Sequence, residues 1–112
     1  MLAYERLDVY RCSIEFLALT AVIVERLPKG NAALADQLKR GAMSIPLNIA
    51  EGAGKPTTAD RRRFSGIARG SAMECGAILD VCSLLGVAEC QRVEQAKKLL
   101  VRIVSMLTKM CR

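Results

Sequence analysis

Histidine and tryptophan are both absent from this 112-residue sequence. Without histidine the chain lacks the commonest general base and the commonest neutral metal ligand, which excludes most hydrolase templates. Aromatic residues make up only 4% of the chain, so a core must be filled by aliphatic side chains, methionine and cysteine. These residue types suit packing between helices. The absences therefore favour a helical protein without enzymatic activity.

Paired cysteine spacings and long apolar runs are also missing. The five cysteines show none of the short spacings that mark zinc sites or redox motifs. Cys75 and Cys82 share one face of a predicted helix, but as small apolar residues on its core row they are better explained by packing than by a metal. The longest apolar stretch, residues 16–24, is about half of a membrane span, and the N-terminus does not resemble a signal peptide. We expect a cytoplasmic protein without cofactor, metal or membrane segment.

Four segments repeat apolar residues at helical spacing, and turn signals separate them. The breaks contain Pro28 and Gly30, Gly54 and Pro56, and Gly86. The predicted helices cover about residues 7–26, 32–54, 58–85 and 88–110. A chain of this length fits one domain, and short connections favour antiparallel neighbours. The prediction for residues 1–112 is a single all-α domain, an antiparallel up-down-up-down four-helix bundle.

Two of the predicted helices carry N-terminal capping signals. Asn31 precedes the second helix and is expected to accept a backbone N–H bond from its first turn. Thr57, with Asp60 three residues later, resembles a capping box at the start of the third helix. Both starts are therefore well signalled.

Proline and glycine stand in two helix interiors. Pro46 lacks the N–H that would bond the carbonyl of Ala42, which predicts a kink or local opening between residues 41 and 48 of the second helix. Gly66 and Gly70 lie one turn apart in the third helix, where each costs about 1 kcal/mol relative to alanine. We expect close approach of a neighbouring backbone to offset that cost.

The first helix carries two apolar rows. One comprises Tyr10, Ile14, Leu17, Ala21 and Val24, and the other comprises Phe16, Leu19, Ile23 and Leu27. A helix that is apolar on two faces must be covered on both, and an isolated four-helix bundle covers only one well. A homo-oligomer is therefore expected, and the periodicity leaves open which row faces the core. The interface candidates from the first helix are Phe16, Leu19 and Ile23.

Positive charge is concentrated in the second half of the chain. Residues 1–54 carry six Lys/Arg and six Asp/Glu, whereas residues 55–112 carry eleven and five. Such a surface can bind phosphates of RNA or DNA, or can simply keep the protein soluble. No aromatic residues are interleaved to stack bases, so sequence-specific readout is not supported. The possible nucleic-acid contacts are Lys55, Arg61, Arg62, Arg63, Lys97, Lys98, Arg102 and Lys109.

Glu51 and Glu74 are the best placed residues for acid–base chemistry. Two carboxylates without a nucleophile, a phosphate-binding loop or a ligand cluster do not make a catalytic site. Glu51 is better explained by pairing with Arg69 or by a network with Asn48. No catalytic residue is assigned.

Several motifs extend over nearly the whole sequence. They are Leu7-Asp8-Val9-Tyr10, Leu27-Pro28, Gln37-Leu38, Ser44-Ile45-Pro46-Leu47-Asn48-Ile49-Ala50-Glu51-Gly52, Phe64 and Ile67-Ala68-Arg69-Gly70-Ser71-Ala72-Met73-Glu74. On these residues the chain resembles the four-helix-bundle proteins encoded by intervening sequences in bacterial 23S ribosomal RNA genes. It is also similar to the accessory variability protein of diversity-generating retroelements, a related basic protein.

The resemblance implies a ring of five bundles with no established enzymatic activity, and the retroelement relative implies a partnership with nucleic acid. The motif marks a set of polar residues, Asn48, Glu51, Arg69, Ser71 and Glu74. They are interpreted as a partly buried network near Pro46, with a ligand or nucleic-acid contact as the alternative. Leu47 departs from the small polar residue expected there, which makes it a further interface candidate.

The resulting hypothesis is a homo-oligomeric bundle that binds RNA or DNA through a basic surface on its third and fourth helices. The alternative is a structural or adaptor assembly that engages another protein, in which the basic surface has no nucleic-acid role. No membrane or small-molecule partner is expected.

Overall fold

The computed structural model describes all of residues 1–112, which form four α-helices and no strand. A short 3-10 helix, Ala3–Arg6, precedes them. The helices are α1 (Asp8–Glu25), α2 (Ala32–Ala53), α3 (Thr58–Leu84) and α4 (Cys90–Met110). The all-α prediction is thus confirmed, with helix ends within two residues of those expected. None of the helices is long and apolar enough to cross a membrane.

The helices enclose one core to which each of them contributes. Every helix contacts the next one along the chain, α4 also contacts α1, and neither diagonal pair is in contact. The molecule is elongated, with extents of 44 × 25 × 22 Å. Because the helices are amphipathic, their apolar rows meet on the long axis. The largest fully buried side chains include Phe16, Leu38, Leu79, Ile103 and Leu107.

The two apolar rows of α1 have different environments. Phe16 is completely buried and Ile23 is 2% exposed, so both belong to the subunit's own core. Their assignment as interface candidates was wrong, because the row that points at the bundle axis is buried in the core of the subunit. The other row lies to one side, where Tyr10 and Leu17 are half-buried and Ile14 is 41% exposed.

The capping predictions had different outcomes. Thr57 Oγ1 accepts a hydrogen bond of 3.1 Å from the backbone N–H of Asp60, which confirms the predicted cap of α3. Asn31 stands before α2 but caps none of its N–H groups. Its amide instead donates to the carbonyl oxygen of Pro28 at 2.9 Å, so it stabilises the turn and not the helix end.

Pro46 does not interrupt α2. The helix continues from Ala32 to Ala53 with Pro46 inside it and buried. The predicted local opening between residues 41 and 48 is therefore wrong, whereas the alternative of a kink stays a prediction. The pyrrolidine ring packs towards α1, on the margin of a surface groove that also contains Tyr10 and Leu47. Burial of the ring offsets the lost backbone hydrogen bond.

Close helix approach occurs at glycines other than those expected. A Cβ on Gly66 or Gly70 would meet nothing within 4 Å, so the predicted close packing there is wrong within the subunit. At Gly41 the added Cβ would lie 2.8 Å from Sγ of Cys75, and at Gly52 it would lie 3.0 Å from Cβ of Phe64. Gly41 and Gly52 of α2 therefore let α2 and α3 approach closely, whereas Gly66 and Gly70 of α3 face outwards.

Candidate nucleic-acid interface

The turn between α2 and α3 gathers three of the predicted contact residues, two of which lie over one aromatic ring. Lys55 Nζ lies 5.3 Å from the ring centre of Phe64, and the guanidinium carbon of Arg63 lies 4.7 Å from it. Both are within cation–π range. Arg61 donates to the carbonyl oxygens of Lys55 and Pro56, at 2.8 and 3.2 Å. These contacts hold Lys55, Arg61 and Arg63 against the segment that joins α2 to α3, although both arginines remain exposed.

Among the predicted contacts, the cations without any protein partner lie at the start of α3 and along α4. Arg62 is exposed and makes no hydrogen bond or ion pair. Lys98, Arg102 and Lys109 are also exposed, at intervals of four and seven residues that place them on one face of α4. That face lies opposite the buried row that contains Leu100. These four side chains present unneutralised positive charge to solvent.

Lys97 differs from the other candidates, because it pairs with Asp80 of α3. The three ion pairs of the subunit are Asp8–Arg11, Glu89–Arg92 and this one. Seven of the eight predicted nucleic-acid contacts therefore have no carboxylate within ion-pair distance. An exposed pair such as Lys97–Asp80 stabilises the fold little, so its lysine can still exchange the carboxylate for a phosphate.

Part of the motif's polar set forms a hydrogen-bonded network beside Pro46. The hydroxyl oxygens of Ser44 and Ser71 lie 2.9 Å apart and join α2 to α3. The Asn48 amide donates to the carbonyl oxygen of Ser44 at 2.8 Å and to its hydroxyl at 2.9 Å. All three residues are half-buried. A partly buried network thus exists where it was expected, centred on Ser44.

Glu51, Arg69 and Glu74 lie outside that network. Arg69 Nε donates to Thr108 Oγ1 of α4 at 2.9 Å, and that hydroxyl donates to the carbonyl oxygen of Val104 at 2.7 Å. The predicted pair between Glu51 and Arg69 is wrong, because Arg69 points to α4 whereas Glu51 is on α2, the opposite neighbour of α3. Glu51 and Glu74 are exposed and form no ion pair.

Two partners in these contacts were missed by sequence reasoning. Ser44 lies four residues before Asn48, on the same side of one helix, and this spacing was a usable signal. Thr108 offered no comparable signal, because its role depends on how α3 and α4 are rotated against each other.

The buried cysteines have low reactivity. Burial raises the pKa of Cys75 to about 12, and the pKa values of Cys12 and Cys82 are also raised by burial. Since the thiolate is the nucleophile and metal ligand, these thiols are unreactive near neutral pH. The fold brings together no group of three or more His, Cys, Asp or Glu side chains that could hold a metal ion.

Apolar surface remains exposed in two grooves beside α1. Leu47 is 63% exposed and lines the groove between α1 and α2 with Tyr10, Ile14 and Met43. Leu19 is half-buried in the groove between α1 and α4. The two remaining interface candidates, Leu19 and Leu47, therefore do reach the subunit surface, in different grooves.

Comparison with known proteins identifies a matching family and a solved structure with a similar fold. A family model described as "23S rRNA-intervening sequence protein" matches residues 5–109. A crystal structure of a protein with unknown function from the S23 ribosomal protein family of Bacteroides thetaiotaomicron is similar, with a TM-score of 0.85 and 21% sequence identity. The similarity covers 93% of this chain and 98% of that one, and it concerns the fold. No curated protein matches by sequence.

Proposed function

The chain belongs to the family of 23S rRNA-intervening sequence proteins, and from that membership we propose a non-enzymatic, cytoplasmic homo-oligomer that binds RNA or DNA. The observation that supports binding is the absence of carboxylate partners around seven of the eight cations on and beside α3 and α4. The family's name associates it with ribosomal RNA. Phosphate is the ligand that such surplus charge recognises.

The proposal includes an antiparallel, up-down-up-down arrangement of the helices. Two contacts between α3 and α4 support it, one of Arg69 with Thr108 and one of Asp80 with Lys97. The residue number rises on one helix as it falls on the other. Short connections between consecutive helices favour the same arrangement.

An antiparallel bundle concentrates the positive charge at one end. The start of α3 and the end of α4 lie together there, so Arg61–Arg63 and Lys55 come near Lys109 and Arg112. The opposite end carries a more even mixture of both signs, with Glu25 and Asp36 among its charges, although Glu51 and Asp60 also lie near the basic end. This basic end is the part of the subunit that we assign to nucleic acid.

Binding at the basic end rests on phosphate contacts. Phe64, the aromatic ring beside these cations, is half-buried and has Lys55 and Arg63 over it, which leaves little of the ring for bases to stack on. We therefore expect weak dependence on base sequence and strong dependence on salt concentration. Each phosphate contact contributes about −0.9 to the slope of log K against log salt for duplex DNA.

Fluorescence anisotropy with a labelled RNA and a labelled DNA at a series of low salt concentrations tests the proposal. Arg62→Gln combined with Lys109→Gln is expected to weaken binding and to reduce the salt slope by about 1 for each contact removed. Lys39→Gln with Arg40→Gln, which removes two exposed cations from the other end, is the matched control. Absence of binding by the unaltered protein at the lowest salt contradicts the proposal.

The homo-oligomer is proposed to be a ring, and the pentameric number rests on the family resemblance. The apolar groove between α1 and α2 supports it, because Leu47, Met43 and Ile14 are each more than 40% exposed in one subunit. Apolar patches of this kind are usual at protein contacts. Light scattering that gives a stable monomer at micromolar concentration contradicts the ring, and Leu47→Glu is expected to dissociate it.

An adaptor role is the second candidate, favoured by the same groove. Its walls are mostly apolar and suit the apolar side of a partner helix. A pull-down with the intact protein distinguishes the two functions. A partner protein that survives nuclease treatment and is lost with Leu47→Glu supports the adaptor, whereas recovery that depends on nucleic acid supports the first proposal.

A further inference from the structure

From Gly66 to Leu84 the outermost line of α3 is apolar. Gly66, Gly70, Met73, Ala77, Val81 and Leu84 follow one another at intervals of four, three, four, four and three residues. All six are exposed, and Leu84 is 86% exposed. They lie opposite the buried row of Ala68, Cys75 and Cys82. We call these six residues the α3 stripe.

Such a stripe is unusual for a solvent-facing helix, whose outer line ordinarily carries charge. The intervals average about 3.6 residues, so the six residues form one straight line along the helix on which a second helix can pack. The glycines add to the anomaly, since each disfavours the helix relative to alanine and neither Gly66 nor Gly70 meets anything within the subunit. No close contact inside the subunit explains the two glycines.

The order of residue sizes along the stripe indicates what that partner is. Small residues, Gly66 and Gly70, occupy its first half, and the large residues Val81 and Leu84 occupy its second half. When two copies of the stripe are laid antiparallel about a two-fold axis near residue 75, Gly66 of one faces Leu84 of the other. Gly70 then faces Val81, and Met73 faces Ala77. Every large side chain meets a small residue.

The charges beside the stripe fit the same register. Arg69 and Asp80 lie along one edge, six residues before and five residues after the axis, so each faces the other residue on the second copy. Arg69 uses Nε for Thr108 and Asp80 uses Oδ1 for Lys97. The Nη groups of Arg69 and the Oδ2 atom of Asp80 remain free for two symmetric ion pairs. Glu74 is the unfavourable element, because it lies near the axis and meets its own copy.

We propose that the α3 stripe is a self-complementary docking surface for the α3 stripe of a second copy of this chain, in antiparallel register. The two partners present the same face, so the contact is isologous. Neighbours within a ring of identical subunits use two different faces. The contact is therefore distinct from the ring interface, and it joins two subunits or two rings.

Disulfide trapping tests the register. In a background with Cys90→Ser and Cys111→Ser, which removes the less buried thiols, Gly66→Cys and Leu84→Cys are made as separate proteins. Under oxidation the mixture is expected to form a heterodimer, whereas each protein alone stays uncross-linked because its cysteines are about 27 Å apart along the helices. Self-linking of Leu84→Cys, or no link in the mixture, overturns the proposal.

Sedimentation of size variants tests the complementarity. Gly70→Val fills a hole without a clash inside the subunit and is expected to weaken the self-contact at least about tenfold, as measured by its Kd. Gly70→Val with Val81→Gly exchanges the large and the small residue of one facing pair. Since a large side chain again meets a glycine, the double variant is expected to regain most of the affinity. Glu74→Gln is expected to strengthen it.

Leu47→Glu is the matched control, since Leu47 lies in the groove between α1 and α2. Leu47→Glu is expected to dissociate the ring but to leave the disulfide between Gly66→Cys and Leu84→Cys intact. The ring proposal and the α3 stripe proposal can therefore fail independently of each other. Circular dichroism confirms that each variant is folded. A Gly70→Val protein that associates as tightly as the unaltered chain overturns the proposal.

Discussion

Gly41 of α2 lies directly against Cys75 of α3, so a Cβ on Gly41 would be 2.8 Å from the Sγ atom. Cys75 is fully buried, so its side chain cannot turn out into solvent to make room. Gly41→Ala is therefore expected to destabilise the fold by about 1–2 kcal/mol, although alanine favours the helix by about 1 kcal/mol. Denaturant unfolding monitored by circular dichroism measures the change.

A double-mutant cycle with Cys75→Ala gives the control for that prediction. Removing Sγ opens the space that the new methyl group needs, so the double variant is expected to be more stable than the sum of the single changes predicts. Additive effects of Gly41→Ala and Cys75→Ala contradict the contact. Gly66→Ala, where nothing lies within 4 Å, is expected to stabilise the subunit, measured below the concentration at which it self-associates.

Helix positions could be predicted from the sequence because their signals are local. Turn residues and the Thr57 cap act within a few positions of the chain. The roles of Gly41 and Arg69 could not be predicted in this way, since both depend on how α3 is rotated between α2 and α4. The same limit left open which row of α1, that of Phe16 or that of Tyr10, faces the core.

The candidate site shows a similar division. The density of positive charge after residue 54 is visible in composition, and the structure keeps most of it free of carboxylates. The composition does not show which of Arg61, Arg62 and Arg63 makes contacts within the subunit, because three consecutive arginines are equivalent in the sequence. Only the path of the turn shows that Arg61 and Arg63 are held to it while Arg62 is not.

Ser44 is expected to be the most important member of the polar network. Ser44→Ala removes the hydroxyl contacts to Asn48 and Ser71 together, and we expect it to cost about 1–2 kcal/mol of unfolding free energy. Ser71→Ala removes only one of them and is expected to cost less. Equal effects of the two substitutions in chemical denaturation contradict the central role of Ser44.

Glu51 and Arg69 are expected to act independently. Since Arg69 bonds Thr108 and Glu51 has no ion-pair partner, Glu51→Gln and Arg69→Gln should combine additively, within about 0.5 kcal/mol. Arg69→Gln and Thr108→Val, in contrast, are expected to show coupling. Double-mutant cycles on unfolding free energy decide both cases, and coupling between Glu51 and Arg69 contradicts the arrangement.

Stability is expected to fall at alkaline pH because of Cys75. Its pKa is raised by burial from 9.0 to about 12, so the thiol's contribution is complete below about pH 9 and is lost as the pH rises towards 12. Melting curves of the unaltered protein and Cys75→Ala, recorded across that range, are expected to show the shallower pH dependence in the variant. Parallel curves contradict this origin of the effect.

A charge on the core row of α1 and a charge on the exposed face of α2 are expected to have different consequences. Phe16→Asp buries an unpaired carboxylate, because position 16 is completely buried. This substitution is expected to cost several kcal/mol, which is a large part of a total stability of about 5–15 kcal/mol. Leu47→Glu keeps its charge in solvent, because the position is 63% exposed. Far-ultraviolet circular dichroism with light scattering should show lost helix for Phe16→Asp and a folded, dissociated subunit for Leu47→Glu. Folded monomers from Phe16→Asp contradict its place in the core.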